Sequence, residues 1–158
     1  MMRFAIPRAE WEMTLNATVL ETFRSRVQGR RQSVETVGQL YVPSLSTHVV
    51  DIQTATILLP KSATRARVVI DKAQTERERA EMFENGLHCA GVWHTHPETH
   101  PSPSADDHQL AEDYALAAAS AGLAGVIFVI VGTDIFPAGL FVGVHDGEMM
   151  HRANVIQI

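Results

Sequence analysis

The sequence contains a single cysteine, Cys89, among 158 residues. One cysteine cannot form an internal disulfide, which suits a reducing compartment. No amino-terminal stretch combines the basic, apolar and small-residue regions of a signal peptide. The longest apolar run, residues 123–132, contains glycines and is too short to cross a bilayer. We therefore expect a cytoplasmic protein with no membrane partner.

The chain also lacks any run of basic residues. Its formal net charge is −5, so we expect no nucleic-acid partner. Hydrophobic residues make up 46% of the chain and charged residues 20%, which is typical of soluble globular proteins. At this length the simplest organisation is one domain over residues 1–158, large enough to bury a normal core.

The hydrophobic pattern predicts three helices. Apolar residues at helical spacing between Trp11 and Phe23 predict a helix over residues 8–27. The charge-dense residues 72–85 predict an exposed helix that Gly86 ends. A third helix is expected over residues 104–122, where many alanines allow close packing.

The remaining segments predict strands. The nearly continuous apolar run 124–131 should be a central strand that is covered on both faces. Residues 145–147 should form a hairpin turn between the last two strands. The strands are expected at residues 35–42, 47–59, 65–71, 87–93, 124–131, 138–144 and 148–156. Together the elements predict an α/β (α+β) fold with a mixed, mostly antiparallel β-sheet between helices.

Residues 91–107 carry side chains with the character of a metal site. In an extended strand, side chains two residues apart point to the same face, so His94 and His96 can converge on one ion. The proline-rich loop that follows is stiff, and its length can bring Asp107 back as a third ligand. Three protein ligands with one open position are typical of catalytic zinc, whereas structural zinc sites close with four.

The same residues admit an interpretation without metal. Ser104, followed three residues later by Asp107, is a capping box that stabilises the start of a helix. Trp93 alternates with His94 along the strand and should point into the core. Cys89 alone cannot build a thiolate-rich site, so we expect it to be a small buried residue.

The spacing His-x-His-Pro, six residues, Ser, two residues, Asp resembles the JAMM (MPN+) signature of JAB-type zinc metalloproteases. That family also has a glutamate upstream, in a stretch similar to Glu-x-Gly-Gly-x-Leu. Residues 35–41 provide Glu35 and Gly38, with Val37 in place of the first glycine. The resemblance implies the MPN/JAB (cytidine-deaminase-like) architecture. The run of residues 93–98 is similar to short prokaryotic single-domain members, some of which accompany ubiquitin-transfer-like enzymes in antiphage defence operons.

The resemblance also implies a mechanism and a substrate. One Zn²⁺ per chain would be held by His94, His96 and Asp107, with Glu35 as the general base and Ser104 as the donor to the oxyanion. Zinc would lower the pKa of its water towards about 7. The implied substrate is a peptide or isopeptide bond after the carboxyl-terminal tail of a ubiquitin-like protein. That tail, free or conjugated to a target protein, would lie across the site as an added strand.

Other side chains compete for these roles. Glu98 is an alternative base, Asp106 is an alternative carboxylate, and His100 could be a further ligand or contact the substrate. His108 would point about 100° away from Asp107 on a helix, which favours a surface role.

Two alternatives to the deconjugase function are also open. The first is a peptidase that acts on a ubiquitin-like sulfur-carrier protein in cofactor or amino-acid biosynthesis. The second is a non-catalytic scaffold of the same fold. Scaffold members typically lack the metal ligands, whereas this sequence has a residue of the expected type at every ligand position.

Overall fold

The structure, a computed structural model, describes residues 1–46, 48–65 and 67–158. The elements in chain order are β1 (Met2–Ala5), β2 (Glu12–Leu15), α1 (Ala17–Arg24), β3 (Val37–Val42), β4 (Val49–Ile52), β5 (Thr54–Ala55), β6 (Ser62–Ala63), β7 (Val68–Val69), α2 (Lys72–Glu84), β8 (His88–Thr95), α3 (Ala105–Ser120), β9 (Val126–Val131), β10 (Leu140–His145), β11 (Met150–Arg152) and β12 (Asn154–Gln157).

The strands form two larger sheets and one short hairpin. The six-stranded sheet has the order β11-β10-β9-β8-β3-β5, the four-stranded sheet has the order β12-β1-β2-β4, and β6 pairs with β7. Neighbouring strands are antiparallel except for the parallel pairs β8–β9 and β2–β4. The predicted mixed, mostly antiparallel α+β architecture is therefore confirmed, although the strands are divided between two larger sheets.

β8 and β9 lie in the middle of the six-stranded sheet and separate two apolar clusters. On one face, Trp93 packs against Phe23 of α1 with ring centroids 4.8 Å apart, in a cluster that continues into the four-stranded sheet. On the other face, Phe128 belongs to a cluster with Ala111 of α3. Side chains alternate along a strand, so His94 points to the opposite face from Trp93. There its ring centroid lies 5.3 Å from that of Phe128. The prediction that Trp93 is a core residue is confirmed.

Gly38 allows another backbone segment to approach β3 closely. A Cβ at this position would lie 1.8 Å from the carbonyl oxygen of Thr56 and 2.4 Å from Trp93 Nε1. That same Trp93 Nε1 donates a hydrogen bond of 2.8 Å to the Thr56 carbonyl. The glycine is therefore needed for a backbone contact beside the start of β3, three residues after Glu35.

The predicted helix over residues 8–27 is wrong in its first half. Residues Glu12–Leu15 form β2, and α1 begins only after Asn16, whose side-chain oxygen accepts a hydrogen bond of 2.9 Å from Val19 N. The apolar residues of this segment fit both a helical and an alternating pattern. Pairing of β2 with β1 and β4 buries Met13 completely and decides between the two.

Two predicted strands are each divided between different sheets. The range 47–59 contains β4 in one sheet and β5 in the other, and the range 148–156 contains β11 and most of β12. Among the described residues of the range 65–71, only β7 is a strand, and it pairs with β6. Thr47 and Ala66, which belong to these predicted ranges, lie outside the described residues.

The other two helices agree closely with their predicted bounds. α2 ends at Glu84, and Gly86 follows with a φ of 78°, as expected for a helix stop. α3 begins after its cap Ser104 and ends at Ser120. In the described part of the chain, no helix combines the length and the apolar character that crossing a bilayer requires.

Candidate metal centre and groove

Three elements bring four predicted site residues together. Glu35 lies just before β3, His94 lies within β8, His96 follows the end of β8, and Asp107 is in the first turn of α3. The register that pairs Val37 with His94 brings Glu35 beside the two histidines. All four side chains are buried, although each carries a polar or ionisable group. Such a cluster needs internal partners, because unpaired buried polar groups are costly.

The carboxylate of Asp107 faces both imidazoles. Its Oδ1 lies 3.1 Å from His94 Nε2, and its Oδ2 lies 3.2 Å from His96 Nε2. The same Oδ2 accepts a hydrogen bond of 2.7 Å from Ser104 N, and Asp107 N donates to Ser104 Oγ at 3.2 Å. The Asp107 carboxylate therefore caps the helix and also faces the two histidines, so the interpretation as a helix cap and the interpretation as a metal site are compatible.

Two other carboxylates contact the opposite nitrogen of each imidazole. His94 Nδ1 lies 2.6 Å from Glu35 Oε1, and His96 Nδ1 lies 2.7 Å from Glu98 Oε2. A carboxylate accepts hydrogen bonds, so each contact favours a proton on Nδ1, and Nε2 can then offer its lone pair to a metal ion that displaces its own proton. Metal-binding histidines are commonly oriented in this way.

The available ligand atoms fit a divalent metal ion. Among the described residues, His94 Nε2 and Glu35 Oε2 are buried and make no hydrogen bond. In that same part of the chain, Glu35, His94 and His96 offer ligand atoms that all lie within 4.8 Å of one another. These three buried residues could hold a metal ion, and imidazole nitrogen and carboxylate oxygen are ligands that zinc accepts. Since Glu35 and Asp107 both lie beside the histidines, the ligand set with Asp107 stays a prediction.

The charges of the cluster favour an ionised Asp107. Burial raises its pKa, but the hydrogen bond from His96, the charge of His94 and the backbone bond from Ser104 outweigh burial and lower the pKa below its ordinary value. Burial lowers the pKa of His96, but the hydrogen bond and charge of Asp107, with those of Glu98, outweigh burial and raise it. An ionised carboxylate is the form that binds a metal.

Ser104 lies exposed at the edge of the cluster. Its Oγ accepts the capping bond from Asp107 N and retains its own proton to donate. The competing residues contact other partners: His100 Nε2 lies 2.9 Å from Asp134, and Asp106 lies 3.9 Å from Arg67. His108 is exposed on α3, which agrees with a surface role.

A groove of about 960 Å³ runs from the cluster across the sheet face. Residues of α2, β7 and α3 line the groove. Val68, Ile70 and Leu110 give its walls an apolar component. Within the described residues, β7 pairs with β6 on one edge and has no strand on the other. An extended peptide could pair with such an edge.

A buried polar network that the sequence pattern does not predict lies beside the groove. Gln39 is fully buried, and its Oε1 accepts hydrogen bonds from Arg79 Nη1 at 2.9 Å and Tyr114 Oη at 3.3 Å. Its Nε2 donates to Tyr41 Oη at 3.1 Å and Glu78 Oε1 at 3.0 Å. These residues come from β3, α2 and α3, so no local pattern signals the network.

Cys89 differs from its predicted place in the core. It is partly exposed in the groove, and its Sγ donates to Gln39 Oε1 at 3.8 Å. Burial of the sulfur raises the pKa of the thiol to about 11. The thiol is therefore neutral at pH 7, a state that disfavours a nucleophilic role.

The fold and the buried cluster define a JAB-type domain with a candidate metal centre. The family model of prokaryotic homologs of the JAB domain matches residues 18–142, more than half of the chain, and the protein belongs to this family. No curated protein matches the sequence. The solution structure of protein DSY2949 from Desulfitobacterium hafniense is similar with a TM-score of 0.65 and 16% identity, over 89% of this chain and 88% of that chain. This similarity shows a shared fold. That residues 1–158 form a single domain stays a prediction.

Replacing Glu98 by glutamine should weaken zinc binding about tenfold, since carboxylates that orient a ligating histidine contribute to metal affinity. Glutamine keeps the shape of the side chain but loses the charge that increases the basicity of His96. Competition with a chromogenic chelator would measure the affinity. Glu148→Gln, in the exposed turn after β10, is the matched control and should bind zinc as the wild type does. Equal affinity in the two variants would contradict the prediction.

Proposed function

We propose that this protein is a zinc-dependent hydrolase that cleaves a peptide or isopeptide bond after the carboxyl-terminal tail of a ubiquitin-like protein. The observation that carries the proposal is the buried cluster of two histidines and two carboxylates that lines a groove of about 960 Å³. Family membership supports the proposal, because many JAB domains are metallo-isopeptidases while others are inactive.

We assign the metal ligands to His94 Nε2, His96 Nε2 and Asp107. Both Nδ1 atoms already contact carboxylates, so the Nε2 atoms remain for the ion, and both lie beside Asp107. When bound, zinc supplies a water of lowered pKa and polarises the carbonyl of the substrate.

Glu35 is the proposed general base. Its Oε1 is engaged with His94, while its Oε2 is buried and free of hydrogen bonds within the described residues. Oε2 can therefore accept a proton from the attacking water and return it to the leaving amine. The Ser104 hydroxyl, which retains its proton, would donate to the oxygen that gains negative charge.

The groove is the proposed binding site for the tail. An extended chain would lie in the groove that α2, α3 and β7 line, with the free edge of β7 available for main-chain hydrogen bonds within the described residues. The reactive carbonyl would then lie beside Glu35, His94, His96 and Asp107, which also line the groove.

Intact-mass measurement of cleavage tests this function. Zinc-loaded protein is incubated with a panel of bacterial ubiquitin-like proteins, each extended at its carboxyl terminus by a reporter peptide or by an isopeptide-linked lysine peptide. We expect at least one reporter to be released after the last residue of the tail. Failure to cut any member by protein that contains stoichiometric zinc would overturn the proposal and favour a non-catalytic JAB domain.

A further inference from the structure

Arg79 presents a fixed positive charge to the groove. It lies on the same face of α2 as Lys72 and Thr75, which also line the groove. Its Nη1 donates to Gln39 Oε1 at 2.9 Å, and its Cζ lies 5.8 Å from the centre of the Tyr114 ring. Among the described residues, no carboxylate forms an ion pair with Arg79. Its contacts are thus to a neutral amide and an aromatic ring.

The network beneath Arg79 holds this guanidinium in place. The amide of Gln39 cannot flip, because its Nε2 faces three acceptors that share its two hydrogens: Tyr41 Oη, the carbonyl of Thr75 and Glu78. Its Oε1 must therefore face Arg79. Burial raises the pKa of Tyr114 to about 12, so its phenol stays protonated and donates to the same Oε1.

Glu78, the acidic residue of this network, already accepts hydrogen bonds from neutral groups. Glu78 Oε1 accepts hydrogen bonds from Thr56 Oγ1 at 2.6 Å and from Tyr41 Oη at 2.9 Å, besides that from Gln39. Arg79 is therefore oriented by neutral groups, while its remaining N–H groups are available in the groove. A rigid guanidinium with free donors matches the geometry of a carboxylate.

We propose that Arg79 binds an acidic side chain of the substrate tail, about five residues before the bond that is cut. This inference rests on the proposed function and names a feature of its substrate. The position follows from β8, because Cys89 lies beside Gln39 at one end and His94 lies at the other. Five residues of a strand span about 16 Å, at about 3.3 Å per residue. An extended tail has a similar rise per residue, so about five of its residues cover the same distance.

The other charged residues of the groove restrict the preference for an acidic side chain to one position of the tail. Arg67 and Lys72 add two further cations. The acids Glu76, Glu98, Asp106 and Asp113 also line the groove and would repel an acid placed beside them. The groove as a whole is therefore not an anion site. Selectivity for an acid is expected at the residue that reaches Arg79 and not along the whole tail.

Fluorescence anisotropy with a matched pair of labelled tail peptides tests the proposal. The two peptides differ only by glutamate or glutamine at the fifth residue from the carboxyl terminus. Zinc-loaded Glu35→Gln protein should bind the glutamate peptide about tenfold more tightly, the range of a hydrogen-bonded charge pair. Arg79→Gln in this background should remove that ratio. Arg77→Gln, an exposed arginine of α2 that does not line the groove, should keep it.

Comparing the two peptides within each variant cancels any general damage to the groove. Equal affinities for the two peptides, or a preference that survives Arg79→Gln, would overturn the inference, as would failure of both peptides to bind. Cleavage of the ubiquitin-like fusions by the wild type is measured separately. Cleavage without a preference for acid would refute the role of Arg79 and leave the proposed function intact, whereas a preference without any cleavage would refute the hydrolase alone.

Discussion

Zinc binding should fall more than about 100-fold when Asp107 is replaced by asparagine, a larger loss than the 10–100-fold typical of residues that only support a ligand. The carboxylate lies beside Nε2 of both histidines, and its ionised form is favoured by its surroundings. Asparagine keeps an oxygen that can accept the capping bond from Ser104, so α3 should still form. Zinc content by mass spectrometry and affinity by chelator competition would measure the effect.

Asp106→Asn is the matched control for this variant. It removes the same charge one residue earlier, from an exposed side chain that pairs with Arg67. The control should keep stoichiometric zinc. Because Glu35 also lies within reach of an ion, the alternative result is informative. Retention of zinc by Asp107→Asn together with loss of zinc by Glu35→Gln would show that Glu35 is the third ligand.

Hydrolysis should fall by about 10²–10⁴-fold in Glu35→Gln, the range that general base catalysis contributes. The glutamine oxygen can still accept the hydrogen bond from His94 Nδ1, so the histidine keeps its orientation and zinc stays bound. The rate of reporter release, measured by intact mass, and the zinc content of the same sample would separate the two effects. Glu35→Ala removes both functions and should lower zinc affinity as well. A glutamine variant with full zinc and wild-type rate would rule out Glu35 as the base.

The arrangement of the site could be predicted because its residues lie in motifs with fixed spacing. His94 lies within β8 and His96 two residues later, just past its end, and the capping box fixes Asp107 at the start of a helix. Their convergence follows from alternation along a strand and from the length of one loop. The apolar run of β9 was equally clear, because both of its faces are covered. The roles assigned to these residues stay predictions.

Features that depend on long-range pairing could not be predicted from local pattern. The segment from Trp11 to Leu15 fits two periodicities, and its state is decided by β1 and β4. β1 in turn pairs with β12 at the opposite end of the sequence. The contacts of Gln39 with Arg79 and Tyr114 join three elements in the same way. In each case the stabilising partner is distant in the chain.

The proposed role of Asp107 as a metal ligand would link ion occupancy to the shape of the groove. The carboxylate that faces the imidazoles also closes the first turn of α3, and α3 forms one wall of the groove. An ion that binds only the folded site stabilises every contact on which that site depends, including this turn. With Asp107 as the proposed ligand, a chelator would therefore remove the ion and also loosen the first turn of α3, which lines the groove.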